Sequence, residues 1–254
     1  MIPDDVRLSF VFPMWNEEAM IHRTVAAACD AGDHLVEGGR VGSYEVVLVN
    51  DASTDGTGKL ADELADEHPH VVVVHHARNR KLGGAIRSGF AAATGDLVLY
   101  TDADLPCDLR EVAKALRLLH IYGADIVSAY RFDRTSEGAV RAVYSYVYNH
   151  LVRWALGVRV RDVNFAFKLS RRRVLDHVEI VSEGSFIDAE LVAKANRRGF
   201  SIVQFGVDYV ARTRGVSTLS SPRVIGTMLR ELRDLRPAIL ALERLPETQL
   251  QGSP

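Results

Sequence analysis

Two carboxylates one residue apart, Asp102 and Asp104, follow the apolar run Leu97-Val98-Leu99-Tyr100. Hard oxygen donors of this kind suit a small divalent cation, Mg²⁺ or Mn²⁺. Such a cation bridges a diphosphate and offsets the charge that develops when a nucleotide leaves. A lone Asp-x-Asp also fits a solvated acidic turn, so the neighbouring loops carry the decision. The stretch Asn50-Asp51-Ala52-Ser53-Thr54-Asp55-Gly56-Thr57 follows another apolar run, Val46 to Val49. Asp51 there is placed to accept an N–H from a nucleobase, while Asp55, Gly56 and Thr57 read as the turn and cap of the next helix. Phe12-Pro13-Met14-Trp15-Asn16-Glu17-Glu18 closes a third apolar run. Pro13 stiffens that turn so that backbone groups line a base pocket, and Asn16 reads as the N-cap of the following helix. Glu17 either contacts the nucleoside or complements the helix dipole.

These loops need a scaffold that brings them to one edge. Strands are expected at 8–12, 46–49, 71–74, 97–100 and 125–129, with helices at 17–28, 58–67, 84–93 and 109–119 between them. The strands are unbroken apolar runs, which implies burial on both faces in a parallel sheet covered by helices. Ligands in such Rossmann-like α/β sheets bind beyond the carboxyl ends of the strands. The second half is less regular: helices at 140–156, 185–198 and 221–242, a short strand at 202–205, and a polar, frayed tail after Pro246. The simplest organisation is one domain over 1–254, with a regular first half (about 1–130), a less regular second half (about 131–220) and a C-terminal helix and tail (221–254).

The three loops, in order, resemble the family 2 inverting glycosyltransferases of the GT-A fold, with their Pro-x-x-Asn-Glu start, carboxylate-Ser-x-Asp-Gly-Thr loop and Asp-x-Asp. Further segments are similar to the dolichyl-phosphate mannose synthase branch, so the resemblance spans about residues 8–219. Arg80-Lys81-Leu82-Gly83-Gly84-Ala85, with Gly89, looks like its basic glycine-rich loop, where backbone approaches a ligand at a helix N-terminus. Ser128-Ala129-Tyr130-Arg131 looks like its Gly-Ser-Arg segment, which makes Arg131 a phosphate contact. Asn164 to Leu169 looks like its Gly-Phe-Lys segment, and Arg212-Thr213-Arg214-Gly215-Val216-Ser217 like its late Arg-x-x-Gly-x-Ser element. Pro106 stands where the family has Gln, Ala166 where the branch has Gly, and Thr218 where it often has Lys.

Related enzymes place an acidic residue near the acceptor, at the position Asp188 occupies here. A hydroxyl acceptor must lose a proton, and Asp188 would be its general base. A phosphate acceptor is already ionised, and Asp188 would then orient acceptor or metal, or simply match the dipole of its helix. Glu190 is the weaker base candidate and supports arginine side chains. Among the arginines of this half (Arg141, Arg153 and Arg161 included), Arg131, Arg212 and Arg214 are the ones assigned to phosphate. The aromatic stripe from Tyr144 to Trp154 fits core packing or an interfacial helix meeting lipid.

Bulk properties set limits. The chain has 254 residues, 47% hydrophobic and 25% charged, with a formal net charge of -2. That balance makes no case for nucleic acid as a partner. Cys29 and Cys107 are too few for a disulfide framework. No apolar run reaches the roughly 20 residues that span a bilayer, and the start lacks the charge of a signal peptide. A cytoplasmic protein, with room for peripheral contact at the membrane face, is expected. None of the nine histidines is assigned a role. The resemblance implies metal-dependent, inverting transfer of a hexose from a GDP- or UDP-sugar to a polyprenyl or dolichyl phosphate. A soluble hydroxyl acceptor, or a nucleotide-sugar-binding subunit without turnover, are the alternatives.

Overall fold

The computed structural model describes residues 5–133, 139–210 and 222–250, with the side chains of 139–144 and 222–223 left out. Seven strands form one sheet in the order β3-β2-β1-β4-β6-β5-β7. They are β1 (Arg7–Met14), β2 (Ser43–Asn50), β3 (Val71–His75), β4 (Leu97–Thr101), β5 (Ile126–Arg131), β6 (Phe167–Arg171) and β7 (Ile202–Val207). All neighbours pair parallel except β6, which runs antiparallel between β4 and β5. The helices are α1 (Ile21–Glu37), α2 (Thr57–Glu67), α3 (Lys81–Ala92), α4 (Val112–Ile121), α5 (Ala139–Leu156), α6 (Arg172–His177), α7 (Ile187–Arg198), α8 (Pro222–Leu240) and α9 (Glu247–Leu250).

The apolar runs are continuous because both sheet faces are covered, and successive side chains go to opposite layers. Leu8, Phe10 and Phe12 of β1, with Val46 and Leu48 of β2, join Ile21, Val25 and Leu35 of α1 and Leu116 of α4. Val11, Val47, Val49 and Val98 face the other way, onto Ile86 and Phe90 of α3 and Ile187 and Leu191 of α7. Full burial of side chains such as Phe10, Phe12 and Leu48 contributes about 1.5–3 kcal/mol each. A third cluster joins Val152 and Leu156 of α5 to Ala189 and Val192 of α7 and Leu232 of α8, so α7 is enclosed from two sides.

Several expectations are corrected. β6 was not anticipated. Its pattern, Phe-Lys-Leu-Ser-Arg, places Lys168 and Ser170 on a face that is nonetheless buried. α1 begins at Ile21 rather than residue 17 and runs nine residues further than 28, to Glu37. Asn16 is not its cap: the cap is Met20, without a side-chain bond, while Asn16 sits in the left-handed region at φ 57°. The expected helix at 109–119 opens as a 3-10 turn, Leu109–Glu111, before α4. The chain after Pro246 does not fray at once, since α9 follows and Leu245 and Leu250 pack against the core.

Candidate active site

Parallel pairing brings the C-terminal ends of β2, β1 and β4 side by side, so their loops share one edge of the sheet. Pro13 lies inside β1, in register with Val49 and past the last residue that pairs with β4. It therefore belongs to the strand rather than the turn. The turn comes at Trp15 and Asn16 and is laced to the loop after β2. The Asn16 N–H donates to Ser53 Oγ (3.0 Å), its Oδ1 accepts from Thr54 N–H (2.8 Å), and the Glu17 N–H donates to Thr57 Oγ1 (2.8 Å). Glu18 accepts from Gly56 N–H at 2.9 Å. Glu17 is half-buried, and its carbonyl accepts from the N–H groups of Met20 (2.8 Å) and Ile21 (2.9 Å) at the entry to α1, so both roles considered for it stay open. Asp55 accepts from both the N–H (3.0 Å) and Oγ1 (2.5 Å) of Thr57, closing the first turn of α2 from one residue before its cap.

Asp51 is 2% exposed. Its N–H donates to Met14 O (2.8 Å), and its Oδ1 accepts from His76 Nδ1 (2.6 Å) and Arg80 N–H (2.7 Å). His76 Nε2 lies 2.8 Å from Ser88 Oγ on α3. His76 went unassigned in the sequence, where 25 residues separate it from Asp51. The signal available was its place at the end of a strand, beside the loop edge.

Asp102 and Asp104 are half-buried in the turn that follows β4. Three contacts pin that turn: Thr101 Oγ1 donates to Ala166 O (2.6 Å), Thr24 Oγ1 donates to Ala103 O (2.5 Å), and Val210 N–H donates to Pro106 O (3.0 Å). Leu105 turns the chain through the left-handed region at φ 53°, strain of the kind that clusters at functional sites. Burial first, and then the charges of Asp188, Asp102 and Asp104, push the Tyr100 hydroxyl well above its ordinary pKa. Lys168 Nζ lies 5.9 Å from the centre of that ring and offsets Asp188, so the negative charge on this side comes from Asp102 and Asp104. Among the described residues no three His, Cys, Asp or Glu side chains form a metal cage. Two carboxylates, with the remaining positions left to phosphate oxygens and water, is the donor set Mg²⁺ or Mn²⁺ takes in nucleotide sites.

In the second half of the chain, Asp188 opens α7 and is 3% exposed. Its Oδ1 accepts from Lys168 Nζ at 2.5 Å, and Lys168 also donates to Phe165 O at 2.8 Å. Burial raises the Asp188 pKa against the lowering pull of Lys168. Tyr100 Oη, Tyr148 Oη, Asn164 Oδ1 and Glu231 Oε2 are four of the eight buried polar atoms that meet no hydrogen-bond partner among the described residues. Both tyrosines feel the charge of Asp188. Buried polar groups are nearly always satisfied, so these atoms stand out as exceptions in the neighbourhood of Asp188.

Comparison with known proteins adds a family. The sequence profile of Glycosyl transferase family 2 matches residues 9–178, which takes in all three loops and the turn carrying Asp102 and Asp104. The chain belongs to that family. It is 30% identical over 209 residues to glycosyltransferase AglD of Haloferax volcanii, covering 80% of this chain and 33% of that protein. It is 32% identical over 198 residues to polyprenol monophosphomannose synthase of Mycolicibacterium smegmatis, covering 73% and 74%. The chain thus spans about a third of the length of AglD. Its fold is shared by glucosyl-3-phosphoglycerate synthase of Mycobacterium tuberculosis, solved with Mn²⁺ and UDP-glucose (TM-score 0.61, 23% identity, 92% of this chain and 79% of that one). It is shared too by a mannosyltransferase of Pyrobaculum calidifontis, solved with GDP-Man and Mn²⁺ (TM-score 0.60, 18% identity, 93% and 72%). The mostly parallel sheet flanked by helices is the GT-A arrangement.

In this family 2 glycosyltransferase the remaining assignments fall unevenly. Arg131, expected to meet phosphate, is instead forked onto Asp162 (Nε to Oδ2 2.8 Å, Nη2 to Oδ1 3.1 Å) and buried against Phe165 and Tyr209. Lys81 opens α3 at φ 59°, with Nζ exposed and 3.8 Å from Glu183. The glycines beside it make room for protein rather than ligand. A Cβ on Gly83 would lie 2.2 Å from Ser182 O, and one on Gly89 2.3 Å from Val11 Cγ1. Among the described residues Glu190 meets no arginine: it accepts from the N–H groups of Val181 and Ser182 and pairs with Lys194 at 2.6 Å. Arg153 donates to Val160 O and Arg161 lies over the Tyr130 ring. Arg212 and Arg214 lie outside the described residues. The aromatic stripe divides, with Tyr148 packed against the third core cluster while Tyr146 and Trp154 are 63% and 81% exposed.

Proposed function

We propose that this chain is a single catalytic domain transferring a hexose, with inversion, from a nucleoside diphosphate sugar to a polyprenyl phosphate. The observation that carries the acceptor class is the Lys168–Asp188 pair. A general base must reach the proton it removes, and Asp188 is sealed in the core with an ammonium at 2.5 Å. An acceptor phosphate is already ionised and asks for no base. Asp188 then orients the site. The synthase from Mycolicibacterium smegmatis, whose name carries a polyprenol phosphate product, supports this acceptor.

On the donor side, Asp51 receives the base, and the Pro13 to Glu17 segment forms the wall beside it. Asp102 and Asp104 hold Mg²⁺ or Mn²⁺, which when bound neutralises the charge of the departing diphosphate. The Mn²⁺ in two structures of this fold supports that role. Lys81, Arg212 and Arg214 supply cations to the phosphates. No described helix is long and apolar enough to cross a membrane. Exposed Tyr146, Val147 and Trp154 on α5 give the protein a surface to rest on the lipid interface.

The test is incubation with labelled nucleotide-sugar, undecaprenyl phosphate and Mn²⁺, followed by organic extraction. A lipid-extractable product is expected, with Asp188→Asn keeping a tenth or more of the rate and Asp104→Asn losing about 100-fold or more. Transfer only to soluble hydroxyl acceptors, abolished by Asp188→Asn, overturns the acceptor assignment. Full activity in EDTA overturns the metal.

A further inference from the structure

The fold alone leaves the nucleobase open, since it is found with both a uridine and a guanosine donor. We infer that the Asp51 pocket takes an imide base, uracil or thymine, and discriminates against guanine. The inference rests on the proposed function, which puts the base at Asp51.

The argument is one of counting lone pairs. An ionised carboxylate only accepts, and each oxygen offers two lone pairs. Oδ1 of Asp51 already takes two donors at close range, His76 Nδ1–H at 2.6 Å and Arg80 N–H at 2.7 Å. Neither donor is free to leave. The His76 imidazole is 6% exposed and meets Ser88 Oγ on its far nitrogen, and Ser88 Oγ in turn accepts from Arg80 Nη1 at 3.3 Å. Arg80 directly precedes α3, and Asn79 Nδ2 donates to Asp51 O at 3.1 Å, fixing that segment against the aspartate. The carboxylate is therefore held in one rotation with Oδ1 saturated. Oδ2 accepts nothing from the described residues and keeps contact with solvent.

One free oxygen matches one donor. Uracil and thymine present a single N3–H between two carbonyls. Guanine presents N1–H and N2–H side by side, a pair that asks for both oxygens of a carboxylate. Its second donor would face Oδ1 with no lone pair left. A donor stranded in a buried site costs roughly 10- to 100-fold in affinity.

The experiment is titration calorimetry on the full chain in Mn²⁺ with UDP, dTDP and GDP. UDP, dTDP or both are expected to bind at least tenfold more tightly than GDP, and the two arms report whether the C5 methyl is tolerated. His76→Phe returns a lone pair to Oδ1 and is expected to narrow the ratio to less than threefold. If that variant does not fold, the wild-type ratio decides alone. GDP binding as tightly as UDP and dTDP, or more tightly, overturns the inference. A GDP-sugar that then labels lipid would leave the proposed function standing. Failure of all three nucleotides to bind overturns both.

Discussion

Removing the ammonium that holds Asp188 is the perturbation whose outcome is best determined by the structure. Lys168→Met keeps the length of the side chain and leaves the carboxylate in a fully buried place without its Nζ donor, which lies at 2.5 Å. Breaking a buried pair in this way costs about 3–5 kcal/mol. The cost has a ceiling, because Asp188 escapes it by taking up a proton. With an ordinary aspartate pKa near 3.9, protonation costs about 4 kcal/mol near pH 7 and about 1.5 kcal/mol near pH 5. Burial already raises the Asp188 pKa in the folded state, opposed by Lys168. Without Lys168 it rises further. A carboxyl whose folded pKa lies above the unfolded one binds more protons when folded, so its contribution to stability falls as pH rises through that window. The deficit of the variant is therefore expected to grow from pH 5 to pH 7, by at most about 2–3 kcal/mol because the wild-type carboxyl is itself raised. Urea unfolding of both proteins at pH 5, 6 and 7 measures it. The double variant Lys168→Met/Asp188→Asn should recover most of the loss. A deficit that is equal at all three pH values, or below about 1 kcal/mol at pH 7, refutes the reasoning.

Two other changes separate structural from ligand roles. In Gly83→Ala the new Cβ meets backbone, Ser182 O, at 2.2 Å. Backbone cannot swing aside, so a destabilisation of about 1–3 kcal/mol is expected, read as a lower melting temperature with or without nucleotide. Arg131→Met removes the fork on Asp162 and is expected to cost about 3 kcal/mol of stability. Its KM for lipid phosphate, measured well below the melting temperature, should stay within about twofold; a large rise in KM with unchanged stability would restore the phosphate contact.

Much of the first half was legible because its signals are local. A strand buried on both faces needs an unbroken apolar run, and a ligand loop after it needs polar and turn residues. β1, β2 and β4 carry both within a dozen residues. Boundaries were less legible where two loops hold each other. Nothing adjacent to Asn16 says that its Oδ1 will accept from Thr54 N–H, so it reads as a helix cap. β6 escaped for a related reason: a strand carrying Lys168 and Ser170 reads as half-exposed until Asp188 covers it.

The sequence by itself therefore determined the layered α/β class, the family and the three loops that gather at one edge of the sheet, since each is written in residues next to one another. Only the tertiary structure decided which charges are spent on the protein itself. Arg131 goes to Asp162, Lys168 to Asp188, and one oxygen of Asp51 to His76 and Arg80. The reason is physical: a buried charge is stable only where a partner arrives to meet it. Those partners lie 20 to 31 residues away and are brought together only when the sheet closes.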